Sequence, residues 1–203
     1  MRGAAATAHS QPSADELSAL HQRLQATAPL SAAELSALPP PQRVALAAGD
    51  CFLRAGERAQ AVATVYSGGL REYFVLRDGS ERTKSFNLPG EFAGSLSDLL
   101  SNQPARTWVV AEVPTVLLVT HWADYTALIA QWPGWQQFAR VVAENLYLRK
   151  VEREYELLAL DAAARYRCAR QRWPTLENVF KQRHIASYVG VTPVHLSRLR
   201  ARR

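Results

Sequence analysis

The sequence predicts an α+β fold in three parts: an N-terminal β-roll of jelly-roll type, a long dimerisation helix and a C-terminal helix-turn-helix. Three observations predict it. Short strand-like runs alternate with glycine turns from about residue 44 to 119. A helical pattern then runs from Gly134 to about Leu160. Last, Gln182 to Arg200 reads QRHIASYVGVTPVHLSRLR, two helical stretches about a tight turn. Evenly spaced short strands mark a roll or small barrel. The expected boundaries are 1–133 for the N-terminal helices and roll, 134–160 for the long helix and 161–203 for the helix-turn-helix domain.

The opening MRGAAATAHSQPSADE lacks the apolar stretch of a signal peptide and reads as a frayed N-terminus. No apolar run reaches the length of a membrane span, so a cytoplasmic location is expected. Asp15 to Gln25 and Ser31 to Leu38 read as short helices, with Ser31 and Glu34 spaced for a capping box. Pro39-Pro40-Pro41 ends them. The runs VALAAGD, CFLRAGE, AVATVYSGG, LREYFVLRDGS, ERTKSFNLPGE and TWVVAEVPTVLLVT follow. Asp78-Gly79 between alternating strands is the firmest hairpin signal among their turns.

Trp122 to Gln131 reads as a helix, and Pro133 marks a break before the long one. There Phe138, Val141, Asn145, Leu148, Glu152 and Tyr155 form a near-heptad stripe, widened by Val142, Leu146 and Leu158. One side can pack on the roll and the other on a second copy. The expected dimer interface is Phe138, Val141, Val142, Asn145, Leu148 and Tyr155, with Asn145 fixing register. Asp161 to Gln171 and Pro174 to Phe180 read as further helices, with Trp173-Pro174 as a packed junction.

In the final unit Ile185, Ala186 and Val189 repeat at helical spacing, leaving Gln182, Arg183 and Tyr188 to face outward. Gly190 stops the first helix where positive φ is wanted. Thr192 is an N-cap and Pro193 takes the first helical position. Leu196 and Leu199 face inward, while His195, Ser197, Arg198 and Arg200 lie on other faces. An αα-hairpin of this kind need not touch nucleic acid, but charge argues that it does. From Ala162 onward there are ten basic residues and one acid, Glu177, a net +9. The whole chain is +6, so the first 161 residues carry −3. Positive charge confined to one segment is the electrostatic footprint of a DNA binder.

Base contacts are then expected from the start and exposed face of the second helix. Arg198 is suited to two guanine acceptors, with His195 and Ser197 as further candidates and Val194 placed for a thymine methyl. Thr192 is expected at a phosphate, and Arg183, Arg200, Arg202 and Arg203 as backbone neutralisers.

The order of parts, from strand through SGGLREYFVLRDGSERTKSFNLPGEFAGS to the long helix and the terminal two-helix unit, resembles the catabolite activator and fumarate–nitrate regulator family. The resemblance runs from about Arg43 to Arg203 and rests on that order more than on any one motif. It implies a cyclic-nucleotide-binding-like roll, a dimer built on the long helix, and recognition of palindromic double-stranded DNA. It also implies RNA polymerase and a small-molecule effector as candidate partners. Pro193 and Val194 stand where many members carry an arginine and a glutamate that read bases, and the Arg198 position is kept.

The family's phosphate cassette aligns with Pro89 to Ser95, so the candidate effector pocket is Gly90, Glu91, Gly94, Ser95, Arg106 and Thr107. Ser95 replaces the glutamate that grips the ribose. Aligned from Trp108, Arg106-Thr107 falls one residue late and Ala105 takes the arginine's place. One step of strand register turns Arg106 out of the pocket. A response to cyclic AMP is therefore not expected; a roll that binds cAMP or cGMP is the alternative. Cys51 and Cys168 match no metal or redox spacing, and no nucleophile–base pair or paired carboxylates suggest an enzyme. No cofactor is expected.

Overall fold

The computed structural model describes residues 8–201. Arg202 and Arg203 lie outside the described residues, as do residues 1–7. In chain order the elements are β1 (Ala8–Ser10), α1 (Ala14–Thr27), α2 (Ala32–Ser36), β2 (Gln42–Leu46), β3 (Cys51–Leu53) and β4 (Ala61–Ser67). Next come β5 (Leu70–Val75), β6 (Glu81–Asn87), β7 (Phe92–Ala93), α3 (Leu96–Ser101), β8 (Trp108–Ala111) and β9 (Thr115–His121). Helices follow: α4 (Trp122–Gln131), α5 (Pro133–Ala159), α6 (Ala162–Arg172), α7 (Leu176–Val179), α8 (Gln182–Val189) and α9 (Pro193–Ala201).

Two antiparallel sheets, ordered β1-β2-β9-β4-β7 and β3-β8-β5-β6, face each other. Alternate residues such as Val65, Leu70, Val109 and Leu117 point between them and fill the roll with aliphatic side chains. The expected frayed start is corrected at residues 8–10. These pair with β2, His9 opposite Val44, and cover what would be its free edge. The Ser31–Glu34 capping box forms in both directions. Glu34 also accepts the Gly134 N–H at 2.6 Å, and its carbonyl accepts from Trp135 Nε1 at 2.9 Å, which pins the start of α5.

α5 changes character along its length. Trp135 and Phe138 are buried against Tyr125 and Phe92, with Val141 and Val142 partly covered by the same cluster. Phe138, expected in a dimer seam, thus spends its surface inside its own chain. An apolar stripe in sequence does not say which neighbour covers it. From Ala143 onward only Arg153 and Glu156 are shielded, while Leu148, Val151, Tyr155 and Leu158 stand in solvent.

The helices α6 to α9 are not a separate body. Phe86 of β6 and Leu88 just after that strand share one buried cluster with Tyr166, Trp173, Phe180, Ile185, Tyr188 and Leu196. Gly69, at the β4–β5 turn, permits this approach: a Cβ there would lie 2.6 Å from Val179 Cγ1.

Candidate nucleic-acid interface

α8 ends at Gly190, whose φ of 81° lets its N–H and that of Val191 both return to the Ala186 carbonyl, at 2.9 and 3.0 Å. Thr192 then caps α9: its Oγ1 accepts the His195 N–H at 3.2 Å, with Pro193 at the first helical position. Leu196 is buried against Ile185 and Ala186, and Gln182 Nε2 donates to the Pro193 carbonyl at 3.0 Å. The crossing of the two helices is fixed by that small alanine and this bond.

Thr192, Val194, His195, Ser197, Arg198 and Arg200 all face solvent, Val194 at 62% exposure. Arg198 makes no ion pair among the described residues, while Arg200 lies 3.6 Å from Glu177. Arg183 is also exposed and donates from Nε to His184 Nε2 at 3.0 Å. The outward expectation for Tyr188 is corrected. Its ring is buried against Phe86 and Trp173, because β6 covers a second face of α8 that a two-helix hairpin alone would leave open.

Charged groups missed in sequence hold this unit in place. Arg71 of β5 is buried between Glu112 at 2.8 Å and Glu81 at 2.6 Å, and stacks 3.9 Å over Tyr73. The other Glu112 oxygen lies 2.9 Å from His184 Nδ1 on α8. Burial alone would raise the Glu112 carboxyl, but hydrogen bonding and charge from His184 and Arg71 hold it below the usual value. Ser187 treats β6 as an open sheet edge. Its Oγ accepts the Thr83 N–H at 3.0 Å and donates to the Glu81 carbonyl at 3.2 Å. At the far end, fully buried Glu156 of α5 accepts from Arg153 at 2.8 Å and Arg172 at 2.6 Å. Arg153 also donates to the Tyr188 carbonyl, and Arg172 to its hydroxyl at 2.6 Å. For Arg71 and Glu112 the sequence signal was charge inside otherwise apolar runs, LREYF and VVAEV.

The candidate effector residues lie in different surroundings. Glu91 turns toward the helices, accepting from Leu88 N–H at 2.8 Å and Trp173 Nε1 at 3.1 Å. Burial pushes its carboxyl up, against those bonds and the Arg149 charge. Gly90 forms the turn beside it. Gly94 sits against the Ala61 carbonyl, and Ser95 is buried at the start of α3, a helix of six residues. Thr107 is buried, Arg106 is in solvent, and Ala105 is in the aliphatic core of the roll.

The geometry defines an α+β protein in which an N-terminal β-roll carries a C-terminal helical unit. Residues 43–131 match the model of the cyclic nucleotide-binding domain. The cyclic AMP receptor protein of Thermus thermophilus is 34% identical over 114 residues, 53% of this chain and 49% of that protein. The match thus spans about half the length of that relative. The crystal structure of the Thermus thermophilus catabolite activator protein superposes with a TM-score of 0.56 at 27% identity, over 89% of this chain and 85% of the other. FixK2 from Bradyrhizobium japonicum has the same fold, with a TM-score of 0.69 at 18% identity over 81% and 84% of the two chains. Residues 43–131 therefore carry a domain of the cyclic nucleotide-binding type, in a fold shared with the Thermus thermophilus catabolite activator protein. Among the described residues no helix is long and apolar enough to cross a membrane.

Proposed function

We propose that this chain is a homodimeric, sequence-specific DNA-binding regulator of transcription, cytoplasmic, with the roll as its effector or scaffold domain. The observation that carries this is α9, read as the recognition helix of a helix-turn-helix. It offers a capped first turn and an open face of Val194, His195, Ser197 and Arg198, in the segment that holds the chain's excess positive charge. Arg198 reads guanine, Thr192 and Arg183 meet phosphates, and Arg200 neutralises the backbone from beside Glu177. A palindromic site needs two copies. Leu148, Val151, Tyr155 and Leu158 repeat at heptad spacing on the solvent side of α5 and supply the seam, with Asn145 beside it setting register.

The name of the Thermus relative favours cyclic AMP as effector, but the residues here favour its absence. Ala105 has no charge to offer a phosphate, Arg106 is exposed to solvent, and Ser95 cannot accept as a carboxylate does. The test is binding of the full chain to duplexes selected from a random pool, followed by fluorescence anisotropy at several salt concentrations. A palindromic consensus with affinity falling steeply in salt is expected. Arg198→Ala should weaken operator binding by about 1–3 kcal/mol and relax one position of the consensus. Failure of the chain to retain any duplex at low ionic strength would end this reading.

A further inference from the structure

Between the β5–β6 hairpin and the α8–α9 turn lies an open cleft of about 580 Å³. It is lined by Arg71, Glu81, Arg82, Arg183, His184 and Ser187, together with the Gly190–Pro193 turn. The charges are not equivalent. Arg71 is neutralised by Glu81 and Glu112, and His184 is held against Glu112. Arg82 is exposed and makes no ion pair among the described residues. Among the described residues its side chain makes one hydrogen bond, to the carbonyl of the preceding residue, long at 3.4 Å. Its position is nevertheless fixed. The residues on either side, Glu81 and Thr83, both bond Ser187 of α8, so the Arg82 backbone is tied to the helical unit.

We propose that Arg82, although part of the roll, belongs to the duplex-binding surface. With Arg183 it contacts backbone phosphates of the strand that passes the first turn of α9. This rests on the DNA-binding reading above and extends its footprint beyond the C-terminal unit. In a helix-turn-helix the first helix crosses the backbone while the second enters the groove, so the surface continuous with Arg183 meets phosphates, not base edges. An arginine there adds affinity without sequence preference. The Glu81 carboxylate in the lining is paired with Arg71, and the remaining neighbours bring the Arg183 charge and the start of α9, both suited to an anion.

The test compares the full-length wild type with Arg82→Ala, Arg82→Lys and Arg140→Ala on the selected operator and on an unrelated duplex. Arg140 is a control of equal charge near the start of α5, paired with Glu144. Arg82→Ala is expected to lower affinity several-fold for both duplexes and leave their ratio unchanged. It should also flatten the salt dependence by about 0.9 in log–log slope for each phosphate that Arg82 neutralises. Arg82→Lys should keep most of the slope, and Arg140→Ala all of it. If the wild type binds steeply with salt and Arg82→Ala behaves as Arg140→Ala, the extended footprint is wrong while the regulator reading stands. If the wild type binds no duplex, both readings fall together.

Discussion

Glu156→Leu offers the sharpest probe of how the helical unit is held. The carboxylate is fully buried, and the two arginines on it keep only 19% and 23% of their side-chain surface in solvent. Removing the anion strands two guanidinium groups in one pocket. Breaking a buried ion pair from one side costs about 3–5 kcal/mol. Both arginines keep some water and a bond to Tyr188, so the lower end, about 3 kcal/mol, is expected here. A chain of this size melts about 2–4 °C lower per kcal/mol, which places the midpoint about 6–12 °C below wild type. Circular dichroism melts measure it, and hydrogen exchange should show the loss concentrated in α6, α8 and the end of α5. Replacing all three groups together, Arg153→Met and Arg172→Met with Glu156→Leu, should recover most of the stability, because no charge is then left without a partner. A midpoint for Glu156→Leu within about 2 °C of wild type would refute the claim that this triad clamps the unit.

The remaining expectations concern acid, assembly and ligand. The folded Glu112 pKa is depressed, so its contribution is complete above the ordinary value of 4.5 and is lost as pH falls through the lower folded value. Urea midpoints measured downward from neutral pH should therefore drop more steeply for wild type than for Glu112→Gln, and parallel curves would exclude the His184–Glu112–Arg71 contact as the cause. Leu148→Lys should halve the mass seen by sedimentation equilibrium with little change in the circular dichroism spectrum; an unchanged mass would move the seam elsewhere. Calorimetry with cyclic AMP should give no heat at micromolar concentrations, and a saturating isotherm there would show that the Ala105 and Ser95 argument is mistaken.

Much of the architecture could be read from local signals because local physics dictates it. Asp78-Gly79 closes the β5–β6 hairpin, and Ser31 with Glu34 opens α2. Gly190, Thr192 and Pro193 set the α8–α9 turn by their own conformational and capping preferences. What escaped was decided by distant partners. Ala8–Ser10 has no strand pattern of its own and is ordered by the edge of β2. Tyr188 looks solvent-facing in an isolated hairpin and is buried because Phe86 arrives from a strand some hundred residues earlier. Phe138 and Leu148 read alike on a helical wheel, yet one meets the roll and the other meets water. The same holds for the candidate interface. Its exposed face was legible from helical spacing, whereas Arg71 and Glu112, which aim it, were visible only as charge out of place, and Glu156 reads in sequence as part of a solvated charge run yet is fully buried.

The shared core limits how such a protein can switch. Phe86 of β6 touches Trp173, Phe180 and Tyr188 with ring centroids 5.4, 4.3 and 5.6 Å apart, so α8 and α9 cannot swing about the α5–α6 junction without exposing it. Exposing one buried phenylalanine costs about 1.5–3 kcal/mol before any ion pair is counted. A ligand moves an equilibrium only by its differential affinity for the two states. At about 1.4 kcal/mol per factor of ten, an effector would have to prefer the undocked arrangement by roughly 10- to 100-fold to offset that ring alone. A weakly discriminating ligand cannot release this unit. Any regulation of the proposed DNA-binding unit would then need either a tightly selective effector or motions that carry β6, the end of α5 and α9 together as one body.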